Sequence, residues 1–430
     1  MKFNPKNIYD VIIIGTGPGG LFCAINCIEI SGTKILLIEK NNSPGKKFLL
    51  SGSGQCNITH TGAVSDFIKH YGKRGAFVKY ALNSFTPASM IKFLHDNGIL
   101  TAEHDTGKIF PKSNRAADVL NMMISLCKER DVEFMYNSPV EKIVNDDGLF
   151  TIHSANGILK SQILVIATGG MSYPDTGSTG DGYRFAQDLG HEIIAATPSL
   201  TSVYIKDFSL SRLSGLSFKN RTISLYKNGK KIYSSSGDIL ITHKGLSGPA
   251  ILDMSRYIDE GDILRVSFSS KKIEEMNNEL IAESRIHGRM NIKNFLKRFD
   301  LPERFILDIL NSEMIDSTKN ISEINKTDRM RLLNAIGEHE FMVEYKGNFN
   351  AAMATAGGVC VDEIDNRTME SKLVPNLYFA GEVIDIDGDT GGYNIQWAFS
   401  SGKTAADAIK IKKKKPQSAQ RLKDKYAKLN

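Results

Sequence analysis

Cysteine is scarce in this chain, five in 430 residues, and the five follow no paired spacing. There is no Cys-X-X-Cys and no Cys/His set at metal-ligand separation, which argues against a disulfide framework or a metal site and for reduced thiols. Cys23 and Cys27, four apart, share a helix face expected to pack on a sheet as small hydrophobes. Long apolar runs are missing too. Nothing approaches the roughly twenty residues that span a bilayer, and Met1 to Asp10 is polar, so a cytoplasmic globular protein is expected. No internal repeat occurs, and the only low-complexity tract is a lysine run near the C-terminus. That run carries the net charge of +6: from Lys410 onward nine Lys/Arg face Asp424 alone, which leaves the body at about −2. Such a tail reads as a solvated end, and nucleic acid is not the expected partner. What the chain does have is length and apolar content, 41%, for two or three domains.

The most informative stretch is near the start. Val11-Ile12-Ile13-Ile14 runs into Gly15-Thr16-Gly17-Pro18-Gly19-Gly20, and Glu39 closes the next apolar run, Ile35 to Ile38. This is strand, glycine turn, helix, strand, acid. Gly15 serves the tight turn, Gly17 lets backbone approach a pyrophosphate, and Gly20 lets the helix pack on the strand. The helix N-terminus offers N–H donors to the phosphates, and Glu39 accepts ribose hydroxyls. A carboxylate there repels a 2′-phosphate, which leaves FAD or NAD(H).

Three further tracts should meet the cofactor. After Glu39 and Lys40 comes Gly45-Lys46-Lys47-Phe48-Leu49-Leu50-Ser51-Gly52-Ser53-Gly54-Gln55-Cys56-Asn57, dense in glycine and donors. A strand at 163–166 ends in Ala167-Thr168-Gly169-Gly170. Near the C-terminus, Leu377-Tyr378-Phe379-Ala380-Gly381-Glu382 places a carboxylate within reach of a ribityl hydroxyl. Gly391-Gly392-Tyr393-Asn394-Ile395 then starts a helix whose dipole favours an anionic reduced flavin. NAD needs no second cradle, so FAD is the expected resident cofactor. Val140 is counted among the cofactor-lining positions as well.

The glycine turn with Glu39, GKKFLLSGSGQCN, ATGGMSYPDTGSTGDGY, THKGLSGPAIL, TAGGV, TMESKLVPNLYFAGE and DGDTGGYNIQWA together resemble the BaiN/YhiN-like family of FAD-dependent oxidoreductases, a group also linked to aminoacetone oxidase. The resemblance runs from about Asp10 to about Ala408. It implies an α/β fold: a glutathione-reductase-type FAD-binding Rossmann domain interrupted by a β-barrel and a helical subdomain. Composition divides the chain the same way, with 1–192 and 348–411 for FAD, 193–272 and 339–347 for the barrel, 273–338 for the helices, and 412–430 as basic tail. In one place the chain departs from the family: Gln55 stands where arginine is usual, which removes a fixed charge.

The expected activity is hydride transfer between a reductant, NAD(P)H as a transient co-substrate, and a small organic molecule, with non-covalent FAD. The substrate is expected near Tyr173, His243 and TAGGV, although none of these residues is assigned a catalytic role. A dedicated nicotinamide domain is not expected, because no second Gly-X-Gly-X-X-Gly unit with its own acid is present. An amine oxidase using oxygen and an RNA-associated flavoprotein are the alternatives.

Overall fold

The computed structural model describes residues 8–27, 32–104 and 106–427. The polar residues 1–7 and the last three residues of the basic tail lie outside that range. The chain forms two compact units, one running to Thr197 and resuming at Met353, the other spanning Pro198–Ala352.

In the first unit a seven-stranded sheet is built around β1 (Ile8–Ile14). β1 pairs in parallel with β2 (Ile35–Ile38) on one side and with Gly157–Ile166 on the other. Glu133–Met135 extends the sheet beyond β2, and Leu377–Phe379 pairs in parallel with the end of Gly157–Ile166. The antiparallel strands Leu149–Ser154 and Val140–Asp146 complete it. Val11 to Ile14 and Ile35 to Ile38 are buried, as unbroken apolar runs must be when both faces of a parallel sheet are covered. α1 (Pro18–Cys27) begins on proline, whose missing N–H costs nothing at the first helical position. Cys23 and Cys27 are buried on it with sulfurs 3.9 Å apart.

In the second unit six strands close into a barrel: Val203–Ile205, Gly245–Ser247, Lys230–Ile241, Ser217–Lys227, Ile263–Val266 and His339–Lys346. The long hairpin turns at Asn228-Gly229, both with positive φ, as a two-residue hairpin requires. Helices Ile273–Ile286, Glu303–Ser312 and Lys326–Gly337 fall between the last two strands and share an apolar core with the barrel.

Three boundaries differ from those that composition suggests, and one of them is the return to the first unit, at Met353 rather than 348. Ile193–Ser199 pairs with Ala354–Val359, so this strand belongs to the first unit rather than opening the barrel. The final helix, Tyr393–Ala427, continues through the lysine-rich stretch that composition sets apart as a tail.

Candidate functional site

Strand register assembles the site. Ile14 is aligned with Ile38 and with Ile166, and Ile166 with Phe379, so four parallel strands end level at one edge of the sheet. The next residues, Gly15, Glu39, Ala167 and Ala380, therefore leave the sheet side by side. The Gly15 N–H donates to Ile38 O (2.8 Å), Ala167 to Ile14 O (2.8 Å) and Ala380 to Ile166 O (3.1 Å). The carboxyl edge of such a sheet is where doubly wound folds bind ligands.

The glycines of the turn have different reasons to be glycine. A Cβ on Gly15 would lie 2.4 Å from the Ala167 carbonyl oxygen, and its φ is +106°. A Cβ on Gly20 would lie 2.1 Å from the Gly15 carbonyl oxygen, whereas on Gly17 it would meet nothing within 4 Å. The fold requires the first two. Gly17, at the entrance to α1, faces open space.

Glu39 is buried beside this turn. Its Oε2 accepts from the Thr16 hydroxyl and, at 3.3 Å, from the Thr16 N–H; Oε1 accepts from the Asn41 backbone (2.9 Å) and side chain (2.8 Å). Lys40 points elsewhere, onto Thr179 (2.6 Å) and Asp181 (2.7 Å), and Asn41 also donates to Thr176 O (3.0 Å). These bonds pin the 176–181 loop against the end of β2.

Glu382 is where distant tracts meet. Its Oε2 accepts from Lys47 Nζ (2.6 Å) and the Gly170 N–H (3.3 Å), and its Oε1 from the Thr355 N–H (2.9 Å). Thr355 Oγ1 in turn accepts from the Met171 and Ser172 backbones (2.9 and 3.1 Å). The glycine-lysine loop, the strand end at Ala167–Gly170, the TAGGV segment and Gly381-Glu382 are thereby held together by one carboxylate.

A second junction surrounds the start of the last helix. With its amide oriented to satisfy both neighbours, Asn57 accepts from the Gly392 N–H and donates to Thr59 O, each at 3.1 Å. Asn394 closes the preceding turn by bonding both backbone groups of Gly388 (2.8 Å each). The Tyr393 ring stacks on His70 (centroids 4.0 Å apart) and on His60 (5.6 Å). His70 Nδ1 is 2.9 Å from Asp389. Arg74 pairs with Asp385, whose carboxyl burial pushes above the ordinary aspartate value while the guanidinium opposes the rise.

Not every residue expected from the sequence converges here. Ser51 turns back onto Phe48 O (2.6 Å), Gln55 is exposed, and Lys46 is half-buried. Cys56 is sealed, and burial pushes its thiol up to about 12. Val140 is buried, paired with Ser154 in the sheet. Thr168, Gly169 and Ile395 lie on the converging segments, at the strand end and in the last helix. His243 is exposed in the second unit. Thr16, Asn41, Arg74 and Asp385 carry contacts that motif reading does not reach. Thr16 and Asn41 flank motif residues and could have been weighed by adjacency, but Arg74 and Asp385 are 311 residues apart and carry no local signal.

Among the described residues no group of side chains could hold a metal ion, and no helix is long and apolar enough to cross a membrane.

The model of the HI0933-like protein Rossmann domain matches residues 9–408. The chain is 30% identical over 403 residues to the ribosomal RNA dihydrouridine synthase of Escherichia coli K12, covering 93% of this chain and 98% of that one. It is 32% identical to the protein of the same name from Haemophilus influenzae, with the same coverage. It is also 26% identical to the 3-dehydro-bile acid delta(4,6)-reductase of Clostridium scindens, covering 92% and 98%.

Proposed function

Because this chain belongs to the HI0933-like Rossmann family, a family of flavin-dependent oxidoreductases, we propose that it holds FAD and reduces a carbon–carbon double bond conjugated to a carbonyl. The substrate is a uracil base in RNA and the reductant NAD(P)H. The observation that carries the cofactor is the open space at Gly17, at a helix N-terminus and at the level edge of four parallel strands, where nothing in the protein itself requires a glycine.

The residues present fit a flavin dinucleotide. Gly17 and the first N–H groups of α1 would face the diphosphate, and Glu39 the adenosine ribose. Glu382, steadied by Lys47 and Thr355, would accept from the ribityl chain. The first turn of the last helix, fixed by Asn57 and Asn394, would present N–H donors and its positive end to the pyrimidine edge of the ring. When bound, FAD would supply two-electron hydride chemistry there. The chain's own share is orientation, charge complementarity and exclusion of water.

The substrate class rests on what the relatives' names have in common. A uracil C5=C6 bond is conjugated to a carbonyl, and so is a delta(4,6) bond system in a 3-oxo steroid. Uracil is favoured because two relatives at 30% and 32% identity, matched over 98% of their length, are named for it. This moves RNA ahead of the small molecule that composition favours.

The test is an anaerobic titration of the purified yellow protein with NADH and then NADPH, followed by addition of protein-free ribosomal RNA. Bleaching of the oxidised-flavin band, then its recovery together with uridine that has gained two hydrogens, is expected. Absence of bound flavin refutes the cofactor, recovery only with a dienone steroid refutes the RNA substrate, and recovery only with oxygen identifies an oxidase.

A further inference from the structure

The second unit contains a segment whose charge the rest of the chain does not explain. Between Arg285 and Arg298 lie Arg285, Arg289, Lys293, Lys297, Arg298 and His287, with no aspartate or glutamate, in a protein whose body is close to neutral. Nearby carboxylates answer some of these charges. Glu283 takes His287 (2.6 Å) and Arg298 (3.0 Å), and Glu303 takes Lys293 (3.2 Å) and Lys297 (2.8 Å). Arg285 and Arg289 are exposed and have no carboxylate partner among the described residues.

The same segment lines a shallow, open depression, in which Arg289 stands with Ile286, Met290, Asn291 and Asn294. Ile286 is 72% exposed, an apolar surface that folding leaves uncovered. Uncompensated guanidinium groups beside amide side chains suit single-stranded nucleic acid: phosphates and base faces on arginine, base edges on amides. A folded protein partner would need carboxylates placed to match. A polyanion needs only its backbone.

We propose that this face of the helical insert, centred on Arg285 and Arg289, is a docking surface for single-stranded RNA. The proposal rests on the RNA reading of the function.

It is tested with the holoenzyme, by binding of end-labelled, protein-free ribosomal RNA as a function of salt. Arg285→Gln combined with Arg289→Gln breaks no ion pair and removes two phosphate contacts, which lowers the slope of log affinity against log salt by about 1.4 for single strands. The advantage of the wild type over this variant then shrinks about sevenfold between roughly 50 and 200 mM salt. Lys230→Gln with Lys231→Gln, at the barrel hairpin, makes the same change in net charge and should leave the slope alone. Flavin reduction by nicotinamide should be unaltered in both variants, which shows that they fold. Equal binding by wild type and the arginine variant, or an equal loss in the lysine variant, overturns the docking surface while leaving the RNA reading intact. Failure of the wild type to bind ribosomal RNA at all overturns both.

Discussion

A methyl group added to each glycine of the β1–α1 turn separates what the fold needs from what the cofactor needs. In Gly20→Ala the new Cβ lies 2.1 Å from the Gly15 carbonyl oxygen, far inside the 3.0 Å that real Cβ atoms keep, and the atom it meets is backbone. The helix must move off the strand, at a cost of about 1–3 kcal/mol, which lowers the melting temperature of a domain this size by roughly 2–4 °C per kcal/mol. In Gly17→Ala the Cβ meets nothing within 4 Å, and the loss of chain entropy in the unfolded state stabilises by up to about 1 kcal/mol. The flavin-free protein should therefore melt at or slightly above the wild-type temperature. FAD affinity should fall by about tenfold or more, equivalent to about 1.4 kcal/mol, because the methyl group occupies the space into which the diphosphate must come. Thermal unfolding of the flavin-free protein and quenching of FAD fluorescence on rebinding measure the two effects separately. A Gly17→Ala protein that binds FAD like the wild type would refute the placement of the diphosphate.

Two other perturbations follow from the contacts at the strand edge and in the cores. Glu382→Gln keeps the shape but removes the charge from the acceptor of Lys47, Gly170 and Thr355, so flavin-free stability should drop by about 1–3 kcal/mol and FAD binding should weaken with it; unchanged urea unfolding would show that the junction contributes nothing. His191 and His339 are both held below the ordinary histidine value, chiefly by burial, and so stay neutral in the fold while the unfolded chain takes up protons. Their contribution is complete above the ordinary value of 6.5 and is lost as pH falls below it, so the melting temperature should decline on acidification, and less steeply in His191→Gln.

The parts of the structure legible in the sequence were those with local causes. Val11 to Ile14 and Ile35 to Ile38 could only be strands buried on both faces, and the glycines after the first run mark a turn that few other residues can make. The hairpin at Asn228-Gly229 has a local cause of the same kind, two residues that tolerate positive φ. Lys40 follows Glu39 directly, yet its ammonium is engaged by Thr179 and Asp181. The boundary near residue 193 was illegible because Ile193–Ser199 looks like any strand of the barrel. What assigns it to the first unit is its pairing with Ala354–Val359, more than 150 residues away, and composition does not carry pairing. Arg74 and Asp385 escaped for the same reason.

Glu39 allows a sharper statement than its motif does. A carboxylate has about four lone-pair sites, and here four donors approach it: the Thr16 N–H and hydroxyl, and the Asn41 N–H and side-chain amide. A ribose diol can bond to Glu39 only if at least one of these withdraws. The two backbone donors are fixed by the turn and the strand end, and the Asn41 amide is also engaged by Thr176 O (3.0 Å). The Thr16 hydroxyl has no other partner among the described residues and is the one free to rotate away. Thr16→Val keeps the buried shape and removes this competitor, so FAD should bind more tightly, by about two- to tenfold, the worth of one net hydrogen bond of about 0.5–1.5 kcal/mol. Rebinding of FAD to flavin-free Thr16→Val, compared with Glu39→Gln, decides the matter. If the valine variant weakens binding as the glutamine variant should, the Thr16 hydroxyl orients Glu39 for the ribose and does not compete with it.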